Sequence, residues 1–235
     1  MEGYTELKTQ RYERKFVAEK VPRMVAESII KQNNAFFVRA FPSRRVNNIY
    51  FDTPGMDCYF DNLFGISHRW KVRIRWYGEL FGKIKSPILE FKIKNGFTGT
   101  KKSFELPYFT LSENSIDESF WDNCFSTADL PDDVLAKLTG VQPVLLNAYE
   151  RSYFESRNRQ FRITVDDQME YYNLRPAWNH FLHVHKEQVK TVIELKYGEE
   201  WEDEAESVTN QIPFRVDKNS KYVSGVGYFR SEIAH

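Results

Sequence analysis

The sequence predicts an α+β protein whose centre is a closed, eight-stranded antiparallel β-barrel with flanking helices. Three observations support this fold class. The dominant hydrophobic periodicity is two, which is the repeat of a strand with one apolar and one polar face. Aromatic residues, which are enriched in strands, make up 16% of the 235 residues. Basic residues recur on the polar face of nearly every predicted strand, so we expect these faces to share one compartment.

The first half of the chain alternates short strands with short helices. In order, the predicted elements are a strand over 11–16, a helix over 22–33, a strand over 46–51, a helix over 56–63 and strands over 69–77, 89–94 and 101–107. Pro22 suits the first turn of a helix, where its missing N–H is not needed. Gly96 and Gly99 predict a hairpin before the last of these strands.

The second half contains an insertion and three more strands. Residues 110–140 are polar and acidic, and we expect them to pack outside the sheet and not to form a second domain. The predicted elements are a helix over 132–138, strands over 144–154, 161–166 and 189–196, and a helical acidic stretch over 199–210. Since the chain has no repeat of solenoid length and no low-complexity linker, residues 1–235 are predicted to form one domain.

The overall composition argues against several classes of function. Lys plus Arg and Asp plus Glu each number 33, whereas proteins that coat nucleic acid or anionic membranes are usually basic. Cys58 and Cys124 are isolated from each other, which favours a reducing compartment. The first residues lack a secretion signal, and no apolar run approaches the roughly 20 residues that span a bilayer. We therefore expect a soluble cytoplasmic protein that neither binds nucleic acid nor inserts into a membrane.

The polar faces of the strands carry the candidate functional residues. Their basic members are Lys15, Arg73, Arg75, Lys92, Lys94, Lys102, Arg151, Arg162 and Lys196. If helices cover the apolar faces of a barrel, these charged faces must turn inward. Two like charges about 6 Å apart repel by roughly 3 kcal/mol at an effective dielectric constant near 20, so such an interior requires a polyanion or interleaved carboxylates. Arginine makes forked contacts to phosphate oxygens, and a chain of phosphates is the predicted ligand.

Several spaced motifs resemble one known family. They are Tyr12-Glu13-Arg14-Lys15-Phe16, Val46-Asn47-Asn48-Ile49-Tyr50-Phe51-Asp52-Thr53-Pro54, Asp61-Asn62-Leu63, Lys71-Val72-Arg73-Ile74-Arg75-Trp76-Tyr77-Gly78, Tyr149-Glu150-Arg151, Glu194-Leu195-Lys196 and Ser220-Lys221-Tyr222. Taken in this order, from about Arg11 to Tyr222, the chain resembles the vacuolar transporter chaperone (VTC) domain. The resemblance implies the triphosphate tunnel fold, an eight-stranded antiparallel tunnel found in the triphosphate tunnel metalloenzymes of the CYTH-like superfamily.

The resemblance also implies a function. The expected activity is that of a polyphosphate polymerase, which transfers the terminal phosphate of a nucleotide such as ATP onto a growing polyphosphate chain with the help of Mn²⁺ or Mg²⁺. The expected ligands are a nucleoside triphosphate and either polyphosphate or inorganic phosphate. A metal-dependent triphosphatase and a non-catalytic module that binds polyphosphate or phosphorylated ligands are the alternatives. Nothing in the sequence separates the polymerase from the binding module.

The resemblance further assigns roles to individual residues. It implies that Lys15, Arg73, Arg75, Lys92, Arg151 and Lys221 hold phosphates, that Tyr149 and Ser220 add hydrogen bonds, and that Glu194 binds the metal. Of these, Lys15, Arg73, Arg75 and Arg151 are the predicted catalytic residues. Lys94, Arg162 and Lys196 join the predicted phosphate ligands because they belong to the basic faces. Either Lys101 or Lys102 should add a contact, and strand alternation favours Lys102.

The acidic residues leave more than one interpretation open. Glu13 and Glu90 suit either salt bridges to neighbouring lysines or metal ligation, and Glu13 is included with Glu194 as a candidate metal ligand. The wider superfamily often opens with Glu-x-Glu-x-Lys, but Arg11 occupies the position of the first glutamate here. This agrees with the VTC branch and leaves fewer metal ligands, which disfavours a two-metal hydrolase.

Two other features are not assigned a functional role, and the histidines among them are interpreted as surface residues of a loop or hairpin. His180, His183 and His185 fit no common spacing of a zinc site, and no cysteine lies near them in the sequence. Cys58 has no evident histidine partner for nucleophilic chemistry.

Overall fold

The strands of the sheet coincide with the stretches of period-two alternation. The computed structural model describes residues 11–96, 98–112, 119–174, 181 and 184–231. Its strands are β1 (Arg11–Glu19), β2 (Val38–Asp52), β3 (His68–Tyr77), β4 (Gly82–Ile84), β5 (Ile88–Asn95), β6 (Thr98–Glu105), β7 (Phe109–Leu111), β8 (Gln142–Glu155), β9 (Arg162–Asn173), β10 (Val184–Lys186), β11 (Lys190–Gly198) and β12 (Arg215–Val216). The eight longest of these are the eight predicted strands.

Six α-helices lie among the described residues. They are α1 (Arg23–Gln32), α2 (Asp57–Phe64), α3 (Ser119–Ser126), α4 (Asp132–Leu138), α5 (Glu202–Thr209), which follows a 3₁₀ turn over Glu199–Trp201, and α6 (Lys221–Ser231). Helices α1, α2, α4 and α5 lie where the sequence predicts them, whereas α3 and α6 were not predicted. Helix α2 ends at Gly65, whose φ of 73° is a conformation that favours glycine. None of the helices described here is long and apolar enough to cross a bilayer.

The long strands form one antiparallel sheet. Its order is β12-β1-β11-β9-β8-β2-β3-β5-β6, with β10 paired to β9, and β4 and β7 form a separate two-stranded sheet. Within the described residues, β6 is not paired with β1 or β12, so the ring of hydrogen bonds that a closed barrel requires is not complete there. The predicted antiparallel sheet with flanking helices is confirmed, but its hydrogen-bonded closure is not.

Helices cover the convex, apolar face of the sheet. Under α1 and α5, Phe16 and Ile193 belong to one buried cluster. Ile74 belongs to a second cluster, to which α3 and α4 contribute Trp121 and Leu138. The described part of the predicted insertion, residues 110–112 and 119–140, therefore packs outside the sheet and forms part of this core cluster.

The polar face of the sheet lies on the concave side. Strands β11 and β5 are five steps apart in the sheet order, which would separate them by about 24 Å in a flat sheet. Glu194 of β11 and Lys92 of β5 nevertheless line the same cavity. The sheet must therefore curve strongly, and the charged faces turn inward as the sequence predicts.

Helix α6 fills one end of the curved sheet. Its residues Tyr222, Val226 and Phe229 are buried against the concave face, next to Leu145 of β8 and Tyr171 of β9. Since Tyr222 precedes Val226 by four residues and Phe229 by seven, all three project from one side of the helix. This apolar plug leaves the charged part of the concave face as a cavity.

Candidate functional site

A narrow polar cavity of about 120 Å³ lies inside the curved sheet. It is lined by Lys15, Tyr50, Lys71, Arg73, Arg75, Lys92, Tyr149, Arg151, Glu194, Lys196, Asn219, Ser220, Lys221 and Tyr222. Eight of these residues are basic and one is acidic, so the cavity concentrates positive charge in a chain without net charge. A second hollow of about 360 Å³, which Phe36 and Arg159 help to line, contains only two basic residues. The narrower cavity is therefore the candidate site.

Two arginines on β3 are held by buried partners. Arg73 donates a hydrogen bond from Nε to Glu90 Oε2 at 2.7 Å, and its Nη2 forms an ion pair with the same oxygen at 2.6 Å. Arg75 donates from Nη2 to the hydroxyl of Tyr149 at 3.3 Å. Burial opposes the ionisation of Glu90, but Arg73, Arg75 and Lys101 outweigh this effect and hold its pKa well below the usual range. Glu90 therefore stays ionised and fixes the orientation of Arg73. Arg75 is instead oriented by Tyr149 and by Asn48, which accepts a hydrogen bond from its Nε at 2.8 Å.

A second ion cluster joins β8, β9 and α6. The buried carboxylate of Asp166 accepts hydrogen bonds from Arg151 Nε at 2.6 Å, Arg151 Nη2 at 2.7 Å and Lys221 Nζ at 2.6 Å. Burial raises the pKa of Asp166, but the two cations lower it by more. Both cations also lie over the ring of Tyr149, at 5.2 and 4.6 Å from its centroid. Asp166 thus positions two cations that line the cavity from different elements.

Glu13 and Glu194 flank the ammonium group of Lys196. Lys196 Nζ lies 2.5 Å from Glu194 Oε1 and 3.4 Å from Glu13 Oε2. Burial opposes the ionisation of Glu194, but Lys196, Arg151 and Lys15 hold its pKa well below the usual range. Two carboxylates beside the cavity fit a divalent metal if the cavity holds phosphates, because Mg²⁺ is usually held by one or two carboxylates plus substrate phosphates. No cluster of three His, Cys, Asp or Glu residues occurs in the described part of the chain, so phosphate oxygens would have to complete the ligand set.

Two lysines of the cavity have pKa values that are lowered by burial and by neighbouring positive charges. Burial, followed by Lys15 and Arg73, lowers the pKa of Lys71 to about 7. Arg73, followed by burial and Lys196, lowers the pKa of Lys92 well below its usual value, although its side chain stays accessible to water. An anion in the cavity would favour the charged form of both lysines.

The start of α6 forms the deep end of the cavity. Ser220 Oγ accepts a hydrogen bond from Lys71 Nζ at 2.8 Å and a longer one from the backbone N–H of Val223 at 3.4 Å, as an N-cap residue does. The hydroxyl of Tyr222 donates to the buried carboxylate of Asp52, which anchors the helix to the end of β2. The N-terminus of α6 therefore adds a favourable dipole for anions to the charge of the lysines.

Most of the predicted site residues are brought together in this cavity. Those that line it are Lys15, Arg73, Arg75, Lys92, Tyr149, Arg151, Glu194, Lys196, Ser220 and Lys221. Glu13 lies next to it, 2.6 Å from Lys15 Nζ.

The expectation that Lys102 faces the cavity was wrong. Strand β6 pairs with β5 so that Lys101 lies opposite Lys92 and Lys102 lies opposite Phe91. Directly opposed residues share a face of the sheet, so Lys101 faces inward and Lys102 faces outward. The outward position of Lys102 agrees with its distance of 3.9 Å to Asp133 of α4.

Lys94 and Arg162 lie at strand ends and do not line the cavity either. Lys94 is paired with Arg69 near one end of the sheet and is exposed. Arg162 is 64% exposed and lies 3.2 Å from Glu155 at the other end. Alternation specified the face on which both residues lie, but not their position along the tunnel.

Several residues of the cavity were not among the predicted site residues. They are Tyr50, Lys71, Asn219 and Tyr222. The signal for Lys71 was present in the sequence, because it shares a strand face with Arg73 and Arg75. Tyr222 belongs to the first turn of a helix that was not predicted, and Asn219 lies just before that helix, so their placement depended on tertiary packing.

Of the cysteine and the three histidines that were not assigned a functional role, Cys58 and His185 lie within the described residues. Burial, with a further contribution from Asp52, raises the pKa of Cys58, which disfavours a reactive thiolate. His185 stacks on the ring of Tyr228 at 4.0 Å between ring centroids. His180 and His183 lie outside the described residues.

Comparisons with known proteins agree with this architecture. Residues 10–230 match the family described as VTC domain, and no curated protein matches the chain. The PH1819 protein of Pyrococcus horikoshii OT3 is 14% identical with a TM-score of 0.51, over 94% of this chain and 99% of that one. A putative adenylyl cyclase of Hippeastrum, described as having a dominant triphosphatase activity, is 14% identical with a TM-score of 0.50, over 94% and 95%. At these identities the likeness to the two structures shows a shared fold.

Proposed function

The chain belongs to the VTC domain family, and from this premise we propose that it is a polyphosphate polymerase. It transfers the terminal phosphate of a nucleoside triphosphate such as ATP onto a polyphosphate chain in the cavity. The observation that carries the proposal is the gathering of eight basic residues, from five strands and one helix, around a narrow space. A chain of phosphates is negatively charged and narrow, so it complements both the positive charge and the small width of this space.

The proposed reaction needs little covalent chemistry from the protein. The bond between the γ-phosphorus and the oxygen that bridges it to the β-phosphate breaks, and a bond forms to the terminal oxygen of the polymer. A nucleoside diphosphate leaves, and the polymer is one phosphate longer. Catalysis of such a transfer depends mainly on positioning and on neutralising charge.

The basic residues supply the positioning on this proposal. Arg73, Arg75 and Arg151 hold the phosphates of the reacting groups in line, and Lys15 neutralises charge beside them. Glu90 keeps Arg73 in place, and Asp166 keeps Arg151 in place. Lys92, Lys196 and Lys221 bind further phosphates, while Tyr149 and Ser220 donate hydrogen bonds. Every one of these residues except Glu90 and Asp166 lines the cavity.

Glu194 and Glu13 are the proposed ligands of Mn²⁺ or Mg²⁺. When bound, such an ion supplies Lewis-acid neutralisation of phosphate charge. In the structure the two carboxylates hold the ammonium of Lys196, so they would be available to an ion only if Lys196 released them.

A triphosphatase is the second candidate, in which water instead of the polymer end attacks the terminal phosphorus. One observation favours it: the Hippeastrum protein that shares the fold is described as having a dominant triphosphatase activity. The two reactions differ in their products.

The products of incubation with ATP and Mn²⁺ test the proposal. Gel electrophoresis should show a ladder of polyphosphate, accompanied by ADP. The Arg73→Ala/Arg75→Ala double variant should lose the ladder, whereas Arg162→Ala should retain it because Arg162 lies outside the cavity. Free phosphate without polymer would favour the triphosphatase. Tight binding of tripolyphosphate without any product would identify a non-catalytic binding module.

A further inference from the structure

A cluster of aromatic rings around one arginine lies at the end of the curved sheet opposite α6. It consists of Phe41 and Arg44 of β2, Tyr77 of β3 and Tyr153 of β8, which we call the mouth cluster. Its strands are neighbours in the order β8-β2-β3. The anchor of α6 at Asp52 lies at the far end of β2, so the mouth cluster and α6 lie at opposite ends of the curved sheet.

The strand register connects the mouth cluster to the cavity. Arg44 is paired with Arg151, which lines the cavity. Tyr153 and Tyr77 each follow a cavity arginine, Arg151 and Arg75, by two residues on the same strand. Residues two apart share a face and are about 7 Å apart along a strand. The mouth cluster therefore continues the concave face by one step beyond the phosphate-binding arginines.

The geometry of the mouth cluster is that of a stacking surface. Arg44 Cζ lies 5.5 Å from the ring centroid of Phe41 and 5.7 Å from those of Tyr77 and Tyr153. The rings of Phe41 and Tyr153 meet edge to face at 5.9 Å between centroids.

The mouth cluster is also open to solvent. Phe41 is 54% exposed and Tyr77 is 47% exposed, and Arg44 is exposed as well. Among the described residues no carboxylate forms an ion pair with Arg44, whose guanidinium group instead lies against the three rings. Aromatic rings and a guanidinium group left open at the end of a phosphate site are suited to a flat, aromatic ligand group.

We propose that the mouth cluster binds the base of the nucleoside triphosphate whose phosphates lie in the cavity. This inference rests on the proposed use of a nucleotide as phosphate donor. The rings and the guanidinium group stack on the flat face of the base. Because every nucleobase has such a face, the site discriminates more strongly between a nucleotide and inorganic triphosphate than between different bases.

Calorimetric binding of two ligands, in the absence of divalent cations so that neither is turned over, tests the inference. The ligands are a non-hydrolysable ATP analogue and inorganic tripolyphosphate. In the Phe41→Ala/Tyr77→Ala double variant, the affinity for the ATP analogue should fall by about tenfold, the scale of a lost stacking contact. The affinity for tripolyphosphate should change by less than about twofold, since the phosphate ligands are intact. Tyr108→Ala is the matched control, because Tyr108 is 65% exposed beneath Lys83 but outside the mouth cluster.

The outcomes separate this inference from the proposed function. If tripolyphosphate binds but the double variant binds the ATP analogue as tightly as the wild type, the mouth cluster is not the base site and the proposed function is unaffected. An equal loss for both ligands would likewise overturn the inference, since it would mean that the variant disturbs the phosphate site. If the wild type binds neither ligand, both proposals are wrong.

Discussion

At Lys71, burial and the positive charges of Lys15 and Arg73 act in the same direction and lower the pKa to about 7. An unperturbed lysine has a pKa of about 10.4. Between these pH values the unfolded chain binds more protons at this site than the folded chain does, so the contribution of Lys71 to the free energy of unfolding rises with pH. A polyanion reverses the effect on the lysine, because it favours the ammonium form.

Binding of tripolyphosphate near pH 8 should therefore be accompanied by proton uptake. The uptake should be smaller in Lys71→Met but not absent, because Lys92 also has a lowered pKa. Calorimetry in two buffers with different ionisation enthalpies measures the number of protons. Lys94→Met, outside the cavity, is expected to behave as the wild type. If Lys71→Met and the wild type take up equal numbers of protons, the lowered pKa of Lys71 is not linked to phosphate binding.

Strand alternation correctly predicted which face of the sheet a basic residue occupies where that residue stands between two apolar ones. It placed Arg73 and Arg75 on the concave face because Val72, Ile74 and Trp76 had to meet the core. It failed where two lysines are adjacent, since the choice between Lys101 and Lys102 depends on the register of β6 against β5. That register follows from the geometry of the hairpin and cannot be read from β6 alone.

Among the elements, α6 shows how tertiary packing can override weak local propensity. Its sequence contains two glycines and two valines in 11 residues, which disfavours an isolated helix. The helix forms because Tyr222, Val226 and Phe229 bury one side in the concave face. Helices with strong local signals, such as α4 after Pro131, could be predicted, whereas α6 depends on a surface that exists only after the sheet has curved.

The two glycines of α6 provide a matched pair of variants. A Cβ atom at Gly225 would lie 2.5 Å from Tyr171 Cδ1 and 2.6 Å from Leu145 Cδ2, whereas one at Gly227 would meet only the Tyr59 hydroxyl at 3.9 Å. Gly225→Ala should therefore lower the free energy of unfolding by roughly 1–3 kcal/mol through overpacking. Gly227→Ala should be neutral or stabilising by up to about 1 kcal/mol, because alanine favours the helix.

Urea denaturation measures both effects. Gly225→Ala should also weaken tripolyphosphate binding, because Ser220 and Lys221 at the start of α6 line the cavity. Equal stabilities of the two variants would show that α6 does not pack tightly against β8 and β9.

In the whole molecule, a net charge of zero conceals an uneven distribution of charge. Alternation showed that the basic residues share faces, but a period of two does not specify which face of a sheet is concave. The deciding argument was that helices must cover the apolar faces. Whether the sheet closes into a barrel could not be derived in this way. Pairing between the first and last strands depends on the twist of the sheet and on its shear, and neither leaves a pattern in the local sequence.

The concentration of charge in the cavity opposes stability and favours binding. Glu90, Asp166 and Glu194 neutralise part of it, yet the pKa of Lys71 is still lowered by burial together with its cationic neighbours, and that of Lys92 by Arg73 together with burial. Removing one such cation should therefore relieve repulsion in the free protein while it weakens the hold on phosphate, which is a stability–function trade-off.

Lys92 and Lys94 allow the most direct test of the central claim, that the cavity is built to bind a chain of phosphates. They lie two residues apart on the same face of β5, but only Lys92 lines the cavity. Tripolyphosphate affinity should be measured by calorimetry, and the melting temperature without ligand by scanning calorimetry, for Lys92→Met and Lys94→Met. Lys92→Met should bind at least about tenfold more weakly, by loss of a charge-assisted contact, and melt at a higher temperature than the wild type, whereas Lys94→Met should change neither property. Wild-type affinity in Lys92→Met, or an equal loss in both variants, would contradict the claim.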